Sequence, residues 1–188
     1  MRQRRKSISS RDGRHAANAA ARHFLRSGWL RRARHVALYL NHGSELGTAP
    51  LISLLRNLGI RVYAPKIGRD HSMRFLDLRI GTQLRRNLYG IAEPAGHRNA
   101  RGIRRMDLVI LPLLGFDAGG RRLGMGGGYY DRALSFARAF RRPRLIGYAY
   151  AAQEVSAIPA QAWDIHLDGV VTERGARSFD RSTAWPTG

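Results

Sequence analysis

The sequence predicts a single α/β domain, and three observations carry that prediction. Short apolar runs suited to buried strands recur at residues 35–40, 60–65, 107–112, 144–149 and 167–172. Stretches with helical spacing of apolar residues lie among them, so strand and helix alternate. The 188 residues, 44% hydrophobic and 24% charged, suffice for one sizeable core, and no linker divides them into two.

The elements follow in order. Residues 14–28 are rich in Ala and Arg, with Ala16, Ala19, Ala20, His23, Phe24 and Ser27 at helical spacing and Gly28 as a stop. His35–Leu40 is a buried strand that ends in the turn Asn41-His42-Gly43. Residues 49–58 form a helix stopped at Gly59, and Ile60–Pro65 is the next strand. Strand, helix and strand within about 30 residues make a βαβ unit, which requires parallel pairing. Met73–Leu78 is a weaker strand, and 79–105 reads as a polar, Gly/Arg-rich connection. Asp107–Pro112 is the most apolar strand; a helix is expected over 129–140 and strands over Arg144–Ala149 and Leu167–Thr172. The domain spans residues 1–175, and 176–188, without periodicity, is expected to be a loose tail.

Composition excludes several classes of chemistry. Cysteine is absent, so disulfides, thiolate catalysis and Cys-based metal sites are out. No apolar run approaches the ~18 residues that span a bilayer. No apolar stretch follows the charged opening MRQRRK, so no secretory signal is expected. The net charge of +20 attracts polyanions, and nucleic acid is the obvious one. However, only Lys6 and Lys66 are lysines, an Arg excess that arginine-rich coding alone produces. Residues 1–35 contribute +10 and residues 107–188 only +2.

The most informative stretch is Arg121-Arg-Leu-Gly-Met-Gly-Gly-Gly-Tyr-Tyr-Asp-Arg132, placed between the strongest strand and a helix. Closely spaced glycines let several backbone N–H groups face one anion, and Arg122 adds a fork suited to phosphate oxygens. The loop thus reads as a polyphosphate cradle at a strand's carboxyl end, with a simple flexible turn as the competing role. It is no P-loop, because Tyr129-Tyr130 stands where Lys-Ser/Thr is required. A polyphosphate brings Mg²⁺, which prefers one or two carboxylates. Asp131 after the loop is the first candidate and Asp168 before a buried strand the second; Asp164 has a similar setting. Lone aspartates in such places also serve as turns or caps. Glu45, between strand 35–40 and helix 49–58, can share the same cleft and accept hydrogen bonds from a ring amine or amide, or merely balance a helix start. The seven histidines have no close metal-ligand spacing, which disfavours a zinc hydrolase.

Together, these blocks resemble the 5-formyltetrahydrofolate cyclo-ligase family, also called the 5,10-methenyltetrahydrofolate synthetases. The specific block is Arg122-Leu-Gly-Met-Gly-Gly-Gly-Tyr-Tyr-Asp-Arg132. Ile110–Asp117, Trp163–Glu173, Glu45-Leu-Gly-Thr48, Val62-Tyr-Ala-Pro65 and Gly90-Ile-Ala-Glu-Pro94 follow the family's order over residues 9–175. The resemblance implies a three-layer α/β/α sandwich like ribose-5-phosphate isomerase and CoA-transferase domains. It implies an ATP-dependent ligase that converts 5-formyltetrahydrofolate to 5,10-methenyltetrahydrofolate. Arg122, Leu123, Gly124, Met125, Gly126, Gly127, Gly128, Tyr129 and Tyr130 would bind ATP, and Arg122, Tyr129 and Asp131 would carry catalysis. Glu45, Met125, Gly126, Gly127, Gly128 and Tyr129 would bind the folate, and Asp131 and Asp168 would hold Mg²⁺.

Two departures from the family pattern stand out. Gly127 occupies the position where many members carry Lys, and the basic opening is shorter than the family's usual N-terminal helix, with Arg2, Arg4 and Arg5 as the cations available there. A cytoplasmic monomer is expected, with no membrane and no obligate nucleic acid as partner. Two rival readings are a nucleic-acid-binding domain with residues 1–35 as a basic arm, and another phosphate-ligand enzyme, acting on a sugar phosphate or CoA, on the same fold.

Overall fold

The computed structural model describes residues 2–68, 72–96, 100–138, 143–159 and 164–180. A short helix α1 (Arg2–Lys6) precedes α2 (Ser10–Arg26). The second helix begins four residues before the expected start, because Ser9 caps it: its hydroxyl accepts the Asp12 N–H at 3.1 Å. The apolar stripe Ala16, Ala17, Ala20, Ala21 and Phe24 is buried. Strand β1 (His35–Leu38), helix α3 (Ala49–Asn57) and strand β2 (Arg61–Ile67) form the anticipated βαβ unit, with β1 and β2 parallel.

Strand β3 (Met73–Asp77) turns back antiparallel to β2. The connection 79–105 is more structured than expected. It holds a hairpin of β4 (Leu84–Arg86) and β5 (Ala92–Pro94), the two-residue strand β6 (Ala100–Arg101) and a 3₁₀ turn at Ile103–Arg105. All three β4 residues are exposed, so no alternating pattern marks them as a strand.

Strand β7 (Leu108–Leu111) is buried on both faces, which is why its sequence is uninterruptedly apolar. A small hairpin follows, β8 (Gly115–Phe116) with β9 (Arg122–Leu123). Asp117 ties its turn, one oxygen accepting the Gly119 and Arg121 N–H groups and the other that of Ile158. Helix α4 is confined to Tyr129–Leu134 and passes into a 3₁₀ turn at Ser135–Arg138; the expected helical residues 139–140 lie outside the described ones.

Strands β10 (Arg144–Tyr148), β11 (Gly169–Thr172) and β12 (Gly175–Ser178) complete the sheet. The tail is therefore not loose from residue 176: β12 pairs antiparallel with β11, and Phe179 N–H continues to Asp168 O. Backbone pairing makes this strand, without an apolar pattern to announce it. Residues 181–188 lie outside the described set.

The eight-stranded sheet runs β12-β11-β10-β7-β1-β2-β3-β6, with the five central strands β11, β10, β7, β1 and β2 parallel. Alternate residues feed two cores. Val36, Leu38, Leu108, Ile110, Ile146 and Tyr148 meet α2 and α3, whereas Ala37, Val109, Leu111 and Leu145 face Phe116 and Leu134 on the other side. Helices on both faces of a mostly parallel sheet make the three-layer α/β sandwich that the alternating pattern predicts.

Candidate active site at the carboxyl edge of the sheet

Three segments meet beyond the carboxyl ends of the central strands: the β1–α3 loop with Glu45, the hairpin leading into residues 122–131, and α1 with Arg5. Glu45 is held by its own turn, its carboxylate accepting the His42 N–H at 2.8 Å. Burial raises its pKa, opposed by that hydrogen bond, by Arg5 and by His42. Arg5 is 5% exposed; its Nη1 donates to Leu113 O at 3.4 Å while its Nε has no partner. Of the three N-terminal arginines considered from sequence, Arg5 is the one electrostatically coupled to Glu45.

The Arg122 guanidinium lies inside the loop and donates from Nη2 to Asp131 Oδ1. Its side chain is 5% exposed and that of Asp131 38%, so the carboxylate keeps a solvent-facing side. Behind the pair sits Tyr130, with a buried hydroxyl that has no hydrogen-bond partner. Its pKa is raised by burial and then by Glu45, with Arg122 opposing. Glu45, Tyr130, Arg122 and Asp131 are thereby brought to one cleft. Leaving Arg5 Nε, Arg122 Nε and Tyr130 Oη unsatisfied costs about 1–3 kcal/mol each unless a ligand or water relieves it.

The glycines shape the loop by conformation more than by clearance. Gly126 has φ 92° and Gly128 φ 61°, both in the left-handed region that disfavours side chains. A Cβ at Gly126 would meet nothing within 4 Å, so a side chain there is disfavoured by backbone strain; one at Gly128 would lie 2.8 Å from Arg132 Nη1. Arg132 fastens the turn, donating to Gly127 O at 3.0 Å and covering the Tyr129 ring at 5.0 Å. Gly124 and Gly128 are half-buried, while Leu123, Met125, Gly126 and Gly127 are exposed.

Tyr129 is joined to the β4–β5 hairpin. Its hydroxyl lies 2.9 Å from that of Tyr89, with the rings edge to face at 6.4 Å. That hydrogen bond is the main cause of the raised Tyr129 pKa. Tyr89 was not singled out within the connection read as polar and Gly/Arg-rich. Its one signal is an apolar–aromatic pair, Leu88-Tyr89, ahead of Gly90 in a polar stretch.

Asp168 does not join the cleft. It precedes β11 at the amino edge, where Oδ2 accepts the Leu145 N–H at 2.7 Å and ties β11 to β10. The structure places Asp168 apart from Asp131, its expected partner at Mg²⁺, because a residue before a parallel strand lies at the end opposite the ligand loops. Among the described residues no cluster of three or more His, Asp or Glu side chains is suited to a metal. Asp131 alone fits a Mg²⁺ that takes most of its ligands from phosphate oxygens and water.

Fold and cleft mark an α/β enzyme of the kind that receives its ligands over the carboxyl ends of parallel strands. The family model described as the 5-formyltetrahydrofolate cyclo-ligase family matches residues 1–173. The chain is 35% identical over 175 residues to the 5-formyltetrahydrofolate cyclo-ligase of Escherichia coli K12, covering 92% of this chain and 96% of that one. Its Haemophilus influenzae counterpart is 34% identical over 156 residues, 81% and 82% of the two chains. The NMR structure of Aquifex aeolicus 5,10-methenyltetrahydrofolate synthetase superposes with a TM-score of 0.82 at 25% identity, over 98% of this chain and 91% of that one. A Mycoplasma pneumoniae 5,10-methenyltetrahydrofolate synthetase gives 0.71 at 25% identity, over 91% and 93%. The chain belongs to the 5-formyltetrahydrofolate cyclo-ligase family.

Proposed function

We propose that this protein converts 5-formyltetrahydrofolate to 5,10-methenyltetrahydrofolate with hydrolysis of ATP to ADP and phosphate, as a cytoplasmic monomer. The observation that carries the reading is the meeting of Glu45, Tyr130 and the Arg122–Asp131 pair beside the glycine loop in a chain of this family. In this reading the formyl oxygen attacks the γ-phosphorus, and the P–O bond to ADP breaks. The neighbouring folate nitrogen then attacks the activated carbon, phosphate leaves, and the methenyl bridge closes with loss of the nitrogen's proton. The substrate supplies its own nucleophile, consistent with a chain that has no cysteine.

The roles follow from residue chemistry. Residues Arg122 to Tyr130 bind ATP, the loop N–H groups and Arg122 meeting phosphate charge that builds during transfer. Arg5 supplies the second cation that Gly127 does not, since its Nε is buried without a partner next to Glu45. Glu45 holds the folate through its ring donors, with Met125 to Tyr129 along the same substrate. Magnesium, when bound with ATP, neutralises phosphate charge, and Asp131 is the residue that would hold it. Mixing the protein with ATP and 5-formyltetrahydrofolate and recording methenyltetrahydrofolate absorbance tests the reading. Product is expected only with both ATP and Mg²⁺; its absence under all conditions, with the fold intact, overturns the assignment.

A further inference from the structure

A second polar cleft lies at the amino edge of the sheet, away from the glycine loop. It has a volume of about 250 Å³ and is walled by Arg61, Arg79, Arg101 and Arg105, with Tyr63 and Asp77 behind. Strand register builds it: Tyr63 stands opposite Asp77, and Phe75 opposite Arg101. Asp77 is the one carboxylate in the wall and is taken by Arg79, whose Nε lies 2.9 Å from Oδ2. Arg101 spends its Nε on Arg105 O at 3.2 Å, and among the described residues Arg61, Arg101 and Arg105 have no carboxylate partner.

Three unneutralised guanidiniums around one concavity differ from arginines scattered over a basic surface. A cleft focuses their field and raises the local concentration of anions. Nearby, His35 Nδ1 lies 3.0 Å from Tyr63 Oη. Its pKa is lowered by burial first and then by Arg101, with Arg61 and Arg34 adding and Asp107 opposing.

We propose that this cleft is a binding site for a compact phosphate anion of diphosphate type, separate from the nucleotide loop. The planar forks of Arg61, Arg101 and Arg105 suit bidentate contact with phosphate oxygens. The volume falls below the ~300 Å³ at which pockets for larger organic ligands begin. Tyr63 is 3% exposed, so the cleft offers no open aromatic face on which the bases of a single strand could stack. A small anion therefore fits better than a nucleic acid.

Titration of the full chain with inorganic pyrophosphate at low salt, followed by backbone amide NMR and calorimetry, tests the site. Shifts are expected at Arg101 and Gly102, and Arg101→Gln or Arg61→Gln should each weaken that binding about tenfold. Folate turnover should be unchanged in both, and Arg31→Gln, outside the cleft, should bind as the parent does. Circular dichroism checks each fold, and the exposed Arg61 gives a readout should the Arg101 variant unfold. Shifts confined to Gly126–Gly128, or affinity in both cleft variants equal to that of the parent, overturn the proposal. Binding of a single-stranded RNA oligomer at this edge without any pyrophosphate response would reassign it to nucleic acid and equally overturn it.

Discussion

The two edges of the central sheet treat carboxylates in opposite ways. At the amino edge, Asp107 and Asp168 each precede a buried strand and spend an oxygen on the neighbouring strand. Asp107 accepts the Arg34 and His35 N–H groups at 2.8 and 2.9 Å, and Asp168 accepts that of Leu145. At the carboxyl edge, Asp131 faces a guanidinium, Glu45 is half-buried with a raised pKa, and Arg5, Arg122 and Tyr130 keep unpartnered polar atoms. The lesson is positional: before parallel strands Asp107 and Asp168 clasp the neighbouring backbone, whereas beyond the strands Asp131 meets a guanidinium and keeps a solvent-facing side.

The contrast can be broken most sharply at the two aspartates. Asp131→Asn should lower turnover by about 100-fold or more with little change in melting temperature, since charge near the transferred phosphate is lost. Asp168→Ala should instead cost about 1–3 kcal/mol in denaturant unfolding by orphaning the Leu145 N–H, with kcat per folded molecule retained. Reversal of these two profiles would return Asp168 to the metal site. Gly128→Ala should impose roughly 1–2 kcal/mol of left-handed strain and weaken ATP binding, read by calorimetry.

A subtler test concerns pH. Because burial holds the folded pKa of Glu45 above its unfolded value, the folded state binds more protons between the two, and stability falls as pH rises through that window. Glu45→Gln should therefore be more stable than the parent near neutrality, converge with it below the unfolded carboxylate pKa, and bind folate less well. Smallest of all, Tyr89→Phe should raise KM by no more than about fivefold, the worth of one net hydrogen bond to Tyr129.

The sheet's centre was legible because burial writes itself into continuous apolar runs such as 108–112. The hairpin at 84–94 was not, since three exposed residues in β4 carry no alternation. Strand β12 was missed for a similar reason: two of its four residues are Gly175 and Ala176, and its pairing with β11 leaves no apolar alternation in the sequence. Within the cleft, the glycine loop, Glu45 and Asp131 could be named from motif and loop position. Arg5 could not be separated from Arg2 and Arg4, because only the packing of α1 against Leu113 decides which arginine turns inward. Asp168 looked like a ligand because nothing in a lone Asp before a strand tells capping from coordination.

The antiparallel strands that flank the parallel core also bear on the protein's behaviour in a crowded solution. A parallel sheet that stopped at β11 and β2 would expose long, flat rows of backbone N–H and C=O groups to other chains. Instead, one margin ends in the four-residue β12 with Arg177 on it, and the other in the two-residue β6 with Arg101. Short, cationic borders offer a poor template for a visiting strand. They favour a chain that stays dispersed while its central strands remain intensely apolar.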